Sequence, residues 1–201
     1  MLTKTETKIL NLLFQDFTKE YSILEIAKHL GKPYAQIHKT IASLEKKQII
    51  TCEKTSNSTF ITLNFKEIKK EHIYSELART EEIFKKYPII KRVNEELQRI
   101  QKLQYLCILF GSFAKNQAKK DSDIDLLFII PKEYNYDHFE RTLKSNILTR
   151  KVDINLGVDE SLHEMWSNPQ KLNVANELLK GHIILKGAEQ FLESWRKHNV
   201  G

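Results

Sequence analysis

At 201 residues the chain has room for one large domain or two small ones. Hydrophobic residues make up 41% and charged residues 29%, and apolar runs such as Leu126 to Ile130 are far too short to span a bilayer. A formal net charge of +6 and a pI near 9.1 suit a polyanionic partner, while Cys52 and Cys107 lack the spacing of a structural zinc site or a disulfide framework. The opening Met1-Leu2-Thr3-Lys4 carries no apolar secretory segment, so the expected compartment is the cytoplasm, with both cysteines acting as small buried hydrophobes.

In chain order, Ile9, Leu10, Leu13, Phe14 and Phe17 recur at helical spacing and predict a first helix. Ser22-Ile23-Leu24-Glu25 reads as a capping box opening a second helix, with Leu24, Ala27 and Leu30 on its buried side. Gly31 closes that helix and Pro33 suits the first turn of the next, where Tyr34, Ile37, Ile41 and Leu44 form the apolar stripe. Ile49 to Cys52 and Thr59 to Leu63 are β-prone runs around a polar tip at Thr55 to Ser58. Helix, helix, short turn, helix, hairpin: residues 1–65 resemble a winged helix-turn-helix domain. Residues 1–66 hold ten lysines against six acids, and on the outward side of the third helix Gln36, Lys39 and Ser43, with Lys54 at the wing, are the expected DNA contacts. No arginine occurs before Arg79, so this helix lacks the usual reader of guanine; protein docking is the competing use of such a domain.

Residues 66–87 predict a connecting helix anchored by Ile68, Ile73, Leu77, Ile83 and Phe84 and ended by Pro88. Residues 88–201 form the second expected domain, in which helices and strands alternate. A helix near 89–101 leads to a strand from Leu103 to Phe110, followed by helix 112–119, strand 123–130, helix 136–148 and strand 151–156. Helices within 160–180, strand 182–186 and a closing helix 188–198 complete it, with Trp166, Phe191 and Trp195 covering one sheet face. His163 and His182 are expected as surface or strand residues.

The chemistry concentrates at Gly111-Ser112, ten residues, then Asp123-Ile124-Asp125. Strand alternation puts Asp123 and Asp125 on one face, a hard-oxygen pair suited to magnesium. Unpaired, they would repel by roughly 4 kcal/mol at about 4 Å, so a cation is expected between them. Asp153, in the β-prone run Lys151 to Leu156, supplies a third carboxylate if its strand lies alongside. Three carboxylates can hold two ions about 3.5–4 Å apart, with Asp153 the best-placed base for an incoming hydroxyl. Gly111 lets backbone amides approach a phosphate, Ser112 can cap the following helix, and Lys115, Lys119 and Lys120 add positive charge nearby. No Walker A loop is present. An EF-hand reading of Asp121-x-Asp123-x-Asp125 fails, because Leu126 and Lys132 occupy its glycine and glutamate positions.

On these residues, 88–201 resemble the minimal nucleotidyltransferases of the DNA polymerase β superfamily, whose hallmark is Gly-Ser, ten residues, Asp-x-Asp. The resemblance implies an α+β fold with a mixed sheet and flanking helices. It also implies magnesium-dependent transfer of a nucleoside monophosphate from a triphosphate. Asp123, Asp125 and Asp153 would be catalytic and metal-binding, with two magnesium ions, while Gly111, Ser112 and Lys115 would bind the nucleotide. Many members carry glycine where this chain has Asn116, a residue that tolerates left-handed backbone. ATP is the expected donor and a macromolecular hydroxyl the expected acceptor. Resemblance to the nucleotidyltransferases of toxin–antitoxin pairs adds an antitoxin that modifies a protein toxin. The alternatives are a DNA-binding regulator that senses nucleotide and an enzyme acting on a small aminoglycoside-like compound. A homodimer is expected from the habit of winged helices and from the long helix 66–87.

Overall fold

The computed structural model describes residues 2–100, 103–149, 151–168, 170–171 and 173–200. Its N-terminal part is a winged helix: α1 (Lys4–Leu13), β1 (Tyr21–Ser22), α2 (Ile23–Leu30), α3 (Tyr34–Lys46), β2 (Ile50–Lys54) and β3 (Thr59–Leu63). The strands form an antiparallel sheet in the order β1-β3-β2. Ser22 and Glu25 make the expected capping box, and Gly31 ends α2 at φ +59°. A second box, Thr3 with Glu6, opens α1. Glu6 is buried and also accepts from Ser43 Oγ (3.2 Å) and Lys47 Nζ (2.6 Å), tying α1 to α3. Burial alone would raise the Glu6 carboxyl, but Lys47 and the Thr3 amide and hydroxyl outweigh it and hold the group at about 2.

Three expected anchors face outward instead. Leu24 and Tyr34 are about half exposed (52% and 51%), and the buried side of α2 is Ile23, Ile26 and Ala27. Ile23, Ile26 and Ala27 follow one another at i, i+3 and i+4, which leaves Leu24 about 100° around the helix from Ile23, while Tyr34 is the first residue of α3. Leu77 is likewise 50% exposed. It belongs to α4 (Lys70–Lys86), whose buried face is mainly polar: His72, Ser75, Glu76, Arg79 and Thr80, with Ile83.

The remaining elements are α5 (Pro88–Gln98), β4 (Leu106–Phe110), α6 (Gly111–Ala114), β5 (Ile124–Ile129), α7 (Tyr136–Asn146), β6 (Val152–Gly157), α8 (Asp159–Trp166), α9 (Val174–Leu179), β7 (Ile183–Lys186) and α10 (Ala188–Val200). The second sheet runs β6-β5-β4-β7; β5 and β6 are parallel, and the other pairs antiparallel. Leu109, Leu126 and Phe128 pack on one face with residues of α5 and α7. Leu106, Ile108, Leu127 and Ile129 pack on the other with Trp166, Phe191 and Trp195, in a core continuous with that of the winged helix. The fold is therefore α+β, a winged helix plus a mixed sheet with flanking helices.

The expected helix 112–119 stops after four residues. Asn116 takes the left-handed conformation (φ +59°), Gln117 N–H donates to Ser112 O and Asn116 N–H to Phe113 O, the two bonds of a Schellman ending. His182, expected at the surface or in a strand, immediately precedes β7 and is fully buried between α4 and the sheet. Cys107 is buried as expected, whereas Cys52 is half-buried, its thiol pushed up to about 11 by burial and then by Glu45. Among the described residues no helix is long and apolar enough to cross a membrane.

Candidate active site

Three elements converge on one corner of the second sheet. Phe110, the last residue of β4, pairs with Asp125 on β5, so the chain turns into α6 directly beside that carboxylate. Gly111 makes the turn at φ +68°, and a Cβ there would lie 2.0 Å from Asp125 Oδ2. With the Asp125 carboxylate where it stands, there is no room for a side chain at this position. On the other side of β5, Asp153 of β6 stands in parallel register with Asp125, which places both side chains on the same sheet face. That register begins where Lys151, at φ +66°, accepts a hydrogen bond from Ile124 N–H through its carbonyl (2.7 Å). Asp123 immediately precedes β5 and is exposed.

The electrostatics favour a cation. Burial raises the Asp125 carboxyl above its ordinary range, and the negative charges of Asp153 and Asp123 raise it further. Among the described residues no ion pair reaches any of these three side chains. Asp153 accepts one bond, from Asn155 Nδ2 at 3.3 Å. Among the described residues no group of three His, Cys, Asp or Glu side chains is gathered closely enough to hold an ion as it stands. The donor set nevertheless fits a hard divalent cation: carboxylate oxygens only, uncompensated, and open to water for the remaining positions.

Ser112 lies inside α6 and does not cap it: the cap position is Phe110, with no side-chain bond. Its half-buried hydroxyl makes no hydrogen bond among the described residues, so it is free for a ligand. Lys115 is engaged instead with Glu177 (Nζ to Oε2, 2.6 Å), and that contact holds the Glu177 carboxyl low. Glu177 lies 62 residues away from Lys115 with no shared motif, so no local pattern in the sequence marks the pair. Lys119 and Lys120 are exposed.

On the winged helix, Gln36 and Lys39 are exposed on α3, and Lys54 is exposed at the end of β2. The Ser43 hydroxyl is turned inward onto Glu6. Lys39 and Lys54 appear in no ion pair among the described residues.

Residues 90–180 match the family model described as "Nucleotidyltransferase domain". That match supports nucleotidyl transfer as the general chemistry of this part of the chain. No curated protein matches the chain. Two solved structures are similar at low scores. Reduced HlyU from Vibrio cholerae N16961 is 19% identical with a TM-score of 0.33, covering 42% of this chain and 78% of that one. The adhesin competence repressor (AdcR) from Streptococcus pyogenes is 23% identical with a TM-score of 0.30, covering 50% and 81%.

Proposed function

We propose that the protein is a magnesium-dependent nucleotidyltransferase that moves a nucleoside monophosphate, with ATP as donor, to a hydroxyl of a macromolecular acceptor. The observation that carries this reading is the juxtaposition of Gly111, Asp125 and Asp153: a side-chain-free turn against one of two uncompensated carboxylates in register. Gly111 and Ser112 hold the triphosphate, and Asp153 accepts the proton of the attacking hydroxyl. Asp123, Asp125 and Asp153 would hold magnesium, which when bound neutralises the triphosphate and stabilises the departing pyrophosphate. Lys115, engaged by Glu177, steadies the turn from behind and is not a free phosphate ligand in this arrangement. An antitoxin that modifies a partner toxin is one form of this activity.

Incubation with magnesium and α-labelled ATP should transfer label to an acceptor fraction of a cell extract. Replacing Asp125 by Asn should lower that transfer about 10³-fold, equivalent to about 4 kcal/mol of barrier. Undiminished transfer by Asp125→Asn would remove the site from the reaction.

A second role, duplex DNA binding by the winged helix, draws on the exposed Gln36 and Lys39 of α3 and Lys54 of the wing. Replacing Lys39 and Lys54 by Ala together should weaken duplex binding and reduce its salt slope by about 2. An unchanged slope would assign the winged helix to another use.

A further inference from the structure

The second sheet has two edges, and the chain treats them differently. At β7 the outward carbonyls are taken up by α4. Arg79 Nη2 donates to His182 O at 2.6 Å, and Thr80 Oγ1 donates to Ile184 O at 2.9 Å. At β6 nothing comparable exists. Ile124 N–H bonds to Lys151 O and Ile130 N–H to Gly157 O, which sets the phase of the parallel ladder. Odd-numbered residues of β6 therefore bond to β5, while Val152, Ile154 and Leu156 direct N–H and C=O outward. Among the described residues none of these outward groups has a hydrogen-bond partner.

A bare edge of this length, without proline or lysine, is a template for another extended chain. Its one charged side chain is Asp153, the proposed base. Beside it lies a hollow of about 220 Å³ lined by the ion-paired Glu140 and Lys144 of α7 and by Ile147, Thr149, Val152, Asp153 and Ile154. Thr149 Oγ1 is buried, with no hydrogen-bond partner among the described residues. A strand added to an edge gains affinity from its backbone and specificity from pockets that take alternate side chains, and this edge offers both features.

We propose that the acceptor is an extended polypeptide segment that adds to β6, and that the modified group is the hydroxyl of a Ser or Thr paired beside Asp153. This rests on the nucleotidyl-transfer reading above and names its substrate. Adjacent strands lie about 4.8 Å apart, and residues directly opposite one another project to the same face with Cβ atoms about 4.5–5.5 Å apart. A short hydroxyl side chain opposite Asp153 thus comes within hydrogen-bonding reach of its carboxylate, on the face that also carries Asp125. In the reaction the hydroxyl oxygen bonds to the α-phosphorus as its proton passes to Asp153. The bond from the α-phosphorus to the bridging oxygen breaks, and its electron pair leaves with pyrophosphate. Nucleic acid lacks the alternating amide N–H and C=O groups that the edge would pair, so a polypeptide is the better fit.

The test uses the full chain with magnesium, all four α-labelled NTPs and a pool of ten-residue peptides with a central Ser or Thr flanked by random Val, Ile, Thr and Lys. Parallel arms hold a Tyr-centred pool, an RNA pool and kanamycin, and nucleotide binding is measured by calorimetry on the same protein. Labelling of the Ser/Thr pool is expected. It should fall at least about tenfold when the peptides are N-methylated at alternate residues, and also in Ile154→Pro, which removes one outward donor of β6. The methylated peptides need no variant, so a misfolded Ile154→Pro leaves the test intact. Labelling confined to RNA, kanamycin or Tyr, or insensitive to N-methylation, overturns the proposal. So does an unlabelled peptide pool with nucleotide binding retained. Loss of nucleotide binding itself overturns instead the reading on which the proposal rests.

Discussion

Gly111 is the residue on which the candidate site depends most directly. Its φ of +68° costs an L-residue roughly 1–2 kcal/mol, and its missing Cβ leaves the space that Asp125 Oδ2 occupies. In Gly111→Ala the carboxylate, as the end of a side chain, can swing aside, so the fold survives while a proposed metal ligand moves. The expected melting temperature falls by only about 2–8 °C. Transfer should fall about 100-fold, the scale of a displacement near 1 Å at a reacting centre. Gly31→Ala provides the control, because Gly31 has a similar φ of +59° with nothing within 4 Å of its Cβ position. It should carry a comparable thermal penalty with unchanged transfer. Equal activity in both variants would separate Gly111 from the chemistry.

At the scale of elements, the legible features were those written within a few residues. Ser22 and Glu25 announce α2 because both partners of the box lie in one turn. Gly111, Ser112, Asp123 and Asp125 are readable as a group because a fixed spacing joins a turn to the next strand. Where α6 stops was less plain, since an apolar count cannot tell that Asn116 adopts the left-handed region and closes the helix. Asp153 was readable as a β-strand carboxylate. Its partner was not, since the pairing depends on the register set at Lys151 and Ile124. The buried face of α4 was the largest loss. Hydrophobic periodicity searches for apolar stripes, and here Leu77 faces water while Glu76, Arg79 and Thr80 face inward. Their partners, His182 and Ile184, lie more than a hundred residues further on, beyond any local signal.

For the whole molecule, that polar face of α4 is what joins the winged helix to the second sheet. Arg79 Nη1 pairs with Glu76 Oε1 at 2.6 Å, and the same oxygen meets His182 Nε2 at 3.2 Å, all in the interior. Phe17, just after α1, donates its N–H to Leu179 O and sets its ring edge-on to His182, 4.9 Å between centroids. Burial would raise the Glu76 carboxyl, but Arg79 and then His182 reverse this and hold it below its ordinary range. A carboxyl lowered on folding contributes stability above its unfolded pKa, near 4.5, and loses it as pH falls through the folded value. Arg79→Met keeps the length of the side chain and removes the charge, leaving Glu76 buried without its main cation. The expected cost is about 3–5 kcal/mol at neutral pH, measured by urea unfolding followed at Trp166 and Trp195. The acid-induced loss of stability below about pH 4.5 should be shallower in the variant, because Glu76 would already carry a proton there. Hydrogen exchange at β3 amides should report the same unfolding free energy as the tryptophans, since one apolar core runs from Ile61 of the wing to Phe191 of α10. If β3 opens independently of the tryptophan signal, the winged helix is tethered to the sheet rather than built onto it. The Glu76–Arg79–His182 cluster would then be a local feature of α4 and β7 alone.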